Sequence, residues 1–365
     1  MTADTSRRRA SDAPRVLIVA ATDRRRGAEV FTERLGRGLT DHGWEVQTVS
    51  LTKSGDERRV EIEALTDVSS ASPGRMNRRI SRALRSRIEE FDPDVVLANG
   101  ASTLRYGALA TLSSKVPLVY IAIGEPDYWI RSRLSLVANR WMLGRVARVL
   151  AVCEATSRQL LQLAPSLAGR IHVTYTGVPD SMFAVRRSKP EGPLRVVMIG
   201  SLSDEKDPVL ALRSVARVPG VLLRMVGGGP LMDRVKEETL ALGLEGRVEL
   251  SGPVDDVVPH LEWADILLLT SRTEGLPGAI LEAGAASVAA VAVDVGGVRE
   301  AISDSVSGIV VDREEAALAA ALAQLAADPQ MAVRMGGAAR LHMKQRFAME
   351  PIISGYAVRL AEVLE

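Results

Sequence analysis

A chain of 365 residues, 47% hydrophobic and 25% charged, has the length of two ordinary domains and the composition of a soluble globular protein. No apolar run reaches the roughly 18 residues that a membrane-spanning helix needs, and a single cysteine, Cys153, excludes an internal disulfide and fits a reducing cytoplasm. The formal net charge of +1 hides a basic first half (30 Lys and Arg against 20 Asp and Glu over residues 1–190) and an acidic second half (16 against 25 over residues 191–365).

Residues 1–13 have no apolar core, so they read as a disordered tail and not as a secretory signal. Val16 to Ala21 is a first buried strand, followed by T-D-R-R-R-G-A-E-V-F and a helix to about His42, with Gly43 as its stop. Trp44 to Leu51 is the next strand, which makes a βαβ unit and opens a doubly wound sheet. Residues 75–90 form a helix with Met76, Ile80, Leu84 and Ile88 on one stripe and Arg75, Arg78, Arg79, Arg82, Arg85 and Arg87 elsewhere. Such a helix could lie on an anionic bilayer, but packing the stripe on a core is the preferred reading. Asp92-Pro93-Asp94 has the letters of a metal-binding D-x-D. It precedes its strand, Val95 to Ala98, where ligands do not bind in α/β sheets, so no metal is assigned to it.

Pro117 to Ile123 is another strand, and Glu125 and Asp127 are the polar groups of the loop after it. Residues 129–149 mix Trp129, Leu134, Leu136, Trp141 and Met142 with five arginines, an amphipathic helix more readily packed than laid on a membrane. Strands at Val149 to Val152 and Ile171 to Tyr175 follow, with Cys153 reading as a small buried residue. Ser188 to Pro193 is a linker. A second βα series begins at Leu194 to Ile199. Val221 to Val226 leads into G-G-G-P-L, where Gly228 and Gly229 allow a ligand close to the backbone. The full G-x-G-x-x-G is absent, so NAD is not expected. After Arg247 to Leu250 and S-G-P-V-D-D-V comes the apolar run Ala264 to Leu269. Val288 to Val293 is a further strand, and residues 328–365 read as helices.

The stretch Thr270 to Gly284, T-S-R-T-E-G-L-P-G-A-I-L-E-A-G, follows that apolar run as a Gly/Pro turn and a helix start near Ala279. A helix start offers unpaired N–H groups and partial positive charge, which suit phosphate. Glu274 and Glu282 bracket the turn and could accept hydrogen bonds from sugar hydroxyls. Alternatively, Glu274 is only a carboxylate placed for the helix dipole and Glu282 lies on a solvated face.

The E-x7-E spacing of Glu274 and Glu282, with G-L-P between them, resembles the signature of the retaining GT-B glycosyltransferases of family 4. Other segments are similar to that family: R-G-A-E at Arg26 to Glu29, C-E-A-T from Cys153, T-G-V-P after Tyr175 and G-S-L-S-D-E-K from Gly200. The resemblance covers most of residues 15–365. It implies an α/β fold of two facing Rossmann-like domains with a cleft between them. The expected division is a tail (1–13), an acceptor domain (14–187), the linker (188–193), a donor domain (194–345), and a C-terminal helix (346–365) returning to the first domain.

The implied reaction is retaining, metal-independent transfer of a sugar from a nucleotide-sugar to an unidentified acceptor, with no cofactor and no nucleic-acid partner. Lys206 would hold the donor diphosphate, Glu282 the ribose and Glu274 the donor sugar, so Glu274 and Lys206 are the catalytic candidates. Gly27, Ser201, Gly228, Pro253, Val254, Arg272, Gly275, Leu276, Pro277 and Gly278 complete the expected donor-binding set. Two positions depart from the family: Ser201 replaces an arginine, for which Arg272 or an N-terminal arginine could substitute, and no histidine stands near Ile123. Arg24, Arg25 and Arg26 would favour an anionic or lipid-linked acceptor, and the basic half allows peripheral membrane contact in a bacterial cytoplasm. A sugar-nucleotide epimerase and a non-catalytic nucleotide-binding protein are the alternative readings.

Overall fold

A computed structural model describes residues 13–55, 58–68, 76–124, 132–187 and 192–365. The expected tail (except Ala13), Arg75, Trp129, Glu125 and Asp127, and residues 188–191 of the linker lie outside the described residues. Two compact units are present: one comprises the chain up to Ile121 with Arg145–Val149 and Ile353–Glu365, the other Ala122–Gly144 with Leu150–Ile352.

The two sheets are parallel, and their central strands are apolar runs buried on both faces, the pattern of a sheet covered by helices, while edge strands such as Glu63–Ala64 and Val248–Gly252 are partly exposed. In the first sheet the strands are β1 (Arg15–Thr22), β2 (Glu45–Thr52), β3 (Glu63–Ala64), β4 (Val95–Asn99), β5 (Leu118–Ala122), β6 (Arg148–Ala151) and β7 (Ile171–Val173), in the order β3-β2-β1-β4-β5-β6-β7. The second sheet holds β8 (Arg195–Ile199), β9 (Leu222–Val226), β10 (Val248–Gly252), β11 (Ile266–Leu269), β12 (Ala289–Val293) and β13 (Gly308–Val311), in the order β10-β9-β8-β11-β12-β13. In each sheet the order reverses beside the first strand, between β1 and β4 and between β8 and β11. Loops leaving two such strands diverge to opposite faces and open a crevice at their carboxyl ends. Each sheet therefore carries one topologically favoured ligand position.

In the first unit, α1 (Gly27–Asp41) buries Phe31, Leu35 and Leu39 on one stripe, and Gly43 at φ +83° ends it. The Tyr356 ring packs tilted against Phe31, centroids 5.6 Å apart, and Ile353 fills the space left by Gly38, where a Cβ would lie 2.2 Å from its Cδ1. Burial of a ring such as Phe31 is worth about 1.5–3 kcal/mol. The next helix, α2 (Arg78–Phe91), starts later than the sequence pattern suggests because Asn77 caps it, accepting the Arg79 N–H at 2.9 Å. Its buried stripe is Ile80, Leu84, Ile88 and Phe91; Met76 precedes the cap and stays 41% exposed, a correction to the expected stripe. Arg78, Arg79, Arg82 and Arg85 face solvent, while Arg87 is tied to Glu63 at 2.7 Å.

In the second unit, the sheet core gathers Val196, Leu223, Ile266, Leu268 and Val291 with Leu212, Val215 and Leu322 of the covering helices. The helix expected over 129–149 runs from Arg133 to Gly144, with Met142 and Leu143 buried and Val137 and Trp141 exposed. Cys153 is fully buried, and burial pushes its thiol pKa up, which suits a packing role and not a nucleophile. Among the described residues, no single helix is long and apolar enough to cross a membrane.

Candidate active site

The reversal between β8 and β11 brings together two loops, 200–207 after β8 and 270–277 after β11. Their junction is pinned from the backbone outward. Thr270, fully buried, donates its hydroxyl to the carbonyls of Lys206 and Asp207, each at 2.9 Å, and the Arg272 N–H bonds the Glu205 carbonyl at 2.8 Å. Asp207 sits at φ +47° and caps the helix Pro208–Ala216, which turns the preceding Lys206 toward β11. The Lys206 Nζ then lies 2.6 Å from Glu274 Oε1, and the Ser271 Oγ donates to the same oxygen at 2.6 Å. Glu274 is 9% exposed, so this is a nearly buried carboxylate held by a charged and a neutral donor.

A small cavity of 40 Å³ opens beside the pair, lined by Ile199, Lys206, Leu269, Glu274, Pro277 and Gly278 among others. The helix Gly278–Ala285 begins there with no side-chain cap, and its first two residues, Gly278 and Ala279, line the cavity with Lys206 and Glu274. Two glycines outside the expected set close the turn from the other side. The Gly297 N–H bonds the Gly275 carbonyl at 2.7 Å, and a Cβ on Gly296 would lie 1.8 Å from the Glu274 carbonyl. Only the V-G-G-V pattern hints at them, because close backbone approach leaves no trace beyond the glycine itself. Ser271 is likewise outside that set; a serine in a loop carries no signal of its partner.

The remaining expected residues divide by location. Gly228 and Pro253 lie at the neighbouring strand ends, where a Cβ on Gly228 would come 2.9 Å from the proline ring, and Val254 follows. Ser201 is exposed at the start of the β8 loop. Gly275, Leu276 and Pro277 are buried in the turn and Gly278 is exposed at the helix start. Glu282 is half-buried in mid-helix and does not line the cavity.

Arg272 is not brought to Lys206 and Glu274. Its guanidinium donates to Asp207 Oδ2 at 2.8 Å and the Asp204 carbonyl at 3.0 Å, shares Asp207 with Arg313, and lines a separate 250 Å³ cavity. Gly27 belongs to the other unit, where it opens α1 with open space around its Cα. Among the described residues no cluster of three or more His, Cys, Asp and Glu could hold a metal.

Comparison with known proteins places the fold. The family model described as Glycosyl transferases group 1 matches residues 183–342, and that described as Glycosyltransferase Family 4 matches residues 25–181. A GDP-mannose-dependent alpha-(1-6)-phosphatidylinositol monomannoside mannosyltransferase of Mycolicibacterium smegmatis is 33% identical over 285 residues, 72% of this chain and 74% of the relative. The lipopolysaccharide core biosynthesis glycosyltransferase LpsE of Rhizobium meliloti is 30% identical over 196 residues, 53% of this chain and 57% of that protein. Several of these alignments span about half of the relative's length, 57% for LpsE and 42% for a Mycobacterium tuberculosis mannosyltransferase.

Among solved structures, Anabaena Alr3699/HepE in complex with UDP and glucose superposes with a TM-score of 0.82 at 20% identity, over 96% of this chain and all of that one. Sucrose-phosphate synthase of Thermosynechococcus elongatus gives 0.84 at 16% identity, over 96% and 99% of the two chains. The two Rossmann-like sheets are thus those of the GT-B fold, and the chain belongs to the glycosyltransferases whose group 1 and Family 4 models it matches.

Proposed function

We propose that the protein transfers a sugar from a nucleotide-sugar to an acceptor, with retention of anomeric configuration and without a metal ion. The observation that carries this reading is the Lys206–Glu274 pair, 2.6 Å apart beside the uncapped helix Gly278–Ala285 at a topological switch point. A departing nucleoside diphosphate gathers negative charge, and a fixed ammonium with helix-start amides stabilises that charge where it develops. Lys206 takes this role, which in other enzymes a metal can take. Glu274, locked by Ser271, is the acceptor of hydrogen bonds from the donor-sugar hydroxyls, and Glu282 is assigned to the ribose. The family's front-face departure, in which the leaving phosphate takes the acceptor's proton, fits a site where the nearest carboxylate is held in an ion pair.

Support for the donor class comes from relatives: structures of HepE hold UDP, UDP and glucose, or UDP-glucose, and the mannosyltransferase relatives are named for GDP-mannose. The base and sugar stay open between these. For the acceptor we propose an anionic or lipid-linked molecule, met in the cytoplasm or at its membrane face. Calorimetric titration with UDP, GDP, ADP and their sugar conjugates, without added metal, tests the donor assignment. One nucleotide should bind, and Lys206→Ala should weaken it at least tenfold. Equal binding by wild type and Lys206→Ala, or no binding of any nucleotide, sinks the assignment.

A further inference from the structure

The loop that carries Lys206 is held by more contacts than a helix start needs. The carbonyls of residues 204 to 207 are all engaged from the turn after β11. Arg272 Nε donates to Asp204 at 3.0 Å and the Arg272 N–H to Glu205 at 2.8 Å, while the Thr270 hydroxyl serves Lys206 and Asp207 at 2.9 Å each. The N–H groups of Lys206 and Asp207 turn back to the Ser203 carbonyl, at 3.1 and 3.0 Å. Asp207 closes the loop with its backbone in the left-handed region, φ +47°, a conformation that persists outside glycine where the surroundings fix it.

Capping the helix Pro208–Ala216 engages only Asp207 Oδ1, 3.4 Å from the Leu210 N–H. Oδ2 receives two guanidiniums. Arg272 donates to it at 2.8 Å from the turn after β11. Arg313 bonds it from the turn between β13 and the helix Glu315–Ala327, 106 residues away in the chain and three positions along the sheet from β8. A helix cap is satisfied by backbone N–H groups alone. Two cations converging on one oxygen repel each other, and the carboxylate between them is what keeps them together. Neither arginine lines the cavity beside Glu274. Their joint effect is to fix Asp207, the residue next to Lys206. A lysine ammonium rides on a flexible four-carbon stem, so where it can reach depends on how firmly its backbone is held. The 2.6 Å contact of Lys206 with Glu274 is the end of this chain of contacts.

We propose that Arg313 is a positioning residue for the transfer: through Asp207, and together with Arg272, it holds the backbone that aims Lys206 at the leaving diphosphate. That role presupposes the diphosphate contact proposed above for Lys206. It also gives Arg272 a part that acts through Lys206 and not through a phosphate contact of its own.

The test is a cycle of nucleotide affinities for wild type, Arg313→Ala, Lys206→Ala and the double variant Lys206→Ala/Arg313→Ala, measured with whichever of UDP and GDP binds wild type more tightly. Arg313 borders the 250 Å³ cavity, so its truncation widens that space and leaves the apolar core intact. Arg313→Ala should bind about three- to tenfold more weakly than wild type, and the double variant should bind as Lys206→Ala does, because residues that act through one contact are not additive. Lys206→Ala/Arg272→Ala should likewise match Lys206→Ala. In Arg313→Ala the amides of Lys206 and Asp207 should exchange faster with solvent while those of β8 and β11 keep their protection. Additive losses in the double variant overturn the proposal, since Arg313 then acts on the fold or on the nucleotide without Lys206. Wild-type affinity in Arg313→Ala, with Lys206→Ala weakened, overturns it as well and leaves the donor reading standing. Equal affinity of wild type and Lys206→Ala, or no nucleotide binding, strikes the donor reading and this role together.

Discussion

At the scale of single residues, the donor site turns on one carboxylate oxygen that receives both Lys206 and Ser271. Glu274→Gln keeps the shape and the Ser271 contact but removes the ion pair, so its effect should separate binding from chemistry. We expect nucleotide affinity to hold within a few-fold while turnover falls by roughly two orders of magnitude, the scale of removing one preorganised electrostatic contact. Measured kcat and nucleotide Kd for the two proteins check this, and equal losses in both would make Glu274 a mere anchor for Lys206. Glu29 poses a different question. It lies 7% exposed in the first turn of α1, and burial pushes its pKa up from 4.5 to about 7 despite Arg26 and Arg24 nearby. Between those two pH values the folded protein holds a proton that the unfolded chain has released. Stability from this group therefore falls as pH rises from 4.5 to about 7 and is level above, a loss on the order of 3 kcal/mol. Glu29→Gln should remove that slope and unfold at higher urea than wild type at pH 8 but not at pH 5. Parallel curves for both proteins across that range would show that Glu29 is not the titrating group.

At the scale of elements, the loops around the site interlock through glycine. Gly227, at φ +144°, approaches Gly200 so closely that a Cβ would lie 1.8 Å from its carbonyl oxygen, and on Gly229 a Cβ would lie 2.4 Å from the Leu202 carbonyl. Those two contacts set the β9 turn against the loop that carries Lys206. Gly227→Ala must move backbone against backbone, so we expect a loss of about 2–3 kcal/mol together with weakened nucleotide binding. At Gly337, inside the helix Pro329–Arg346, an added Cβ would meet nothing within 4 Å, and Gly337→Ala should gain about 0.5–1 kcal/mol from helix propensity alone. Denaturation midpoints of the two variants, moving in opposite directions, check both.

The same contrast explains what the sequence disclosed. Apolar runs such as Ile266–Leu269 and Ala289–Val293 announce buried parallel strands, and Gly43 announces a helix stop, because each rests on local chemistry. Lys206 and Glu274 are legible through their motifs, but their 2.6 Å contact joins residues 68 apart and has no signature in spacing. The two-residue strand β3 and the turn that carries Arg59 lack periodicity and hold their places through contacts distant in sequence, among them the pairing of β3 with β2, the Arg87–Glu63 ion pair, Asp23 and the packing of Val60 and Ile62. Arg272, expected as one possible substitute for the arginine that Ser201 replaces, has a partner no spacing discloses: its guanidinium donates to Asp207, distant in sequence.

At the scale of the molecule, the chain completes its first unit with its last residues. Ile353–Glu365 belongs to the unit built on β1, β2 and α1, and Tyr356 and Leu360 are fully buried there. That arrangement makes the unit discontinuous, so its stability depends on a segment made after all of the second sheet. Ending the chain at Ile352 removes Ile353 from the hollow at Gly38 and Tyr356 from its contact with the Phe31 ring, and exposes apolar surface along α1. Losing three large buried side chains of this kind should cost roughly 5–9 kcal/mol, comparable to the whole stability of an ordinary domain. The second sheet keeps its own core of Val196, Ile266, Leu268 and Val291 and shares none of those contacts. Hydrogen exchange on the truncated protein should therefore show the amides of β1, β2 and α1 losing protection while those of β8, β11 and β12 keep it, with nucleotide binding at Lys206 retained. Uniform loss of protection across both sheets would mean that the two cores unfold as one, and unchanged protection in α1 would mean that the final helix adds little to the unit it covers.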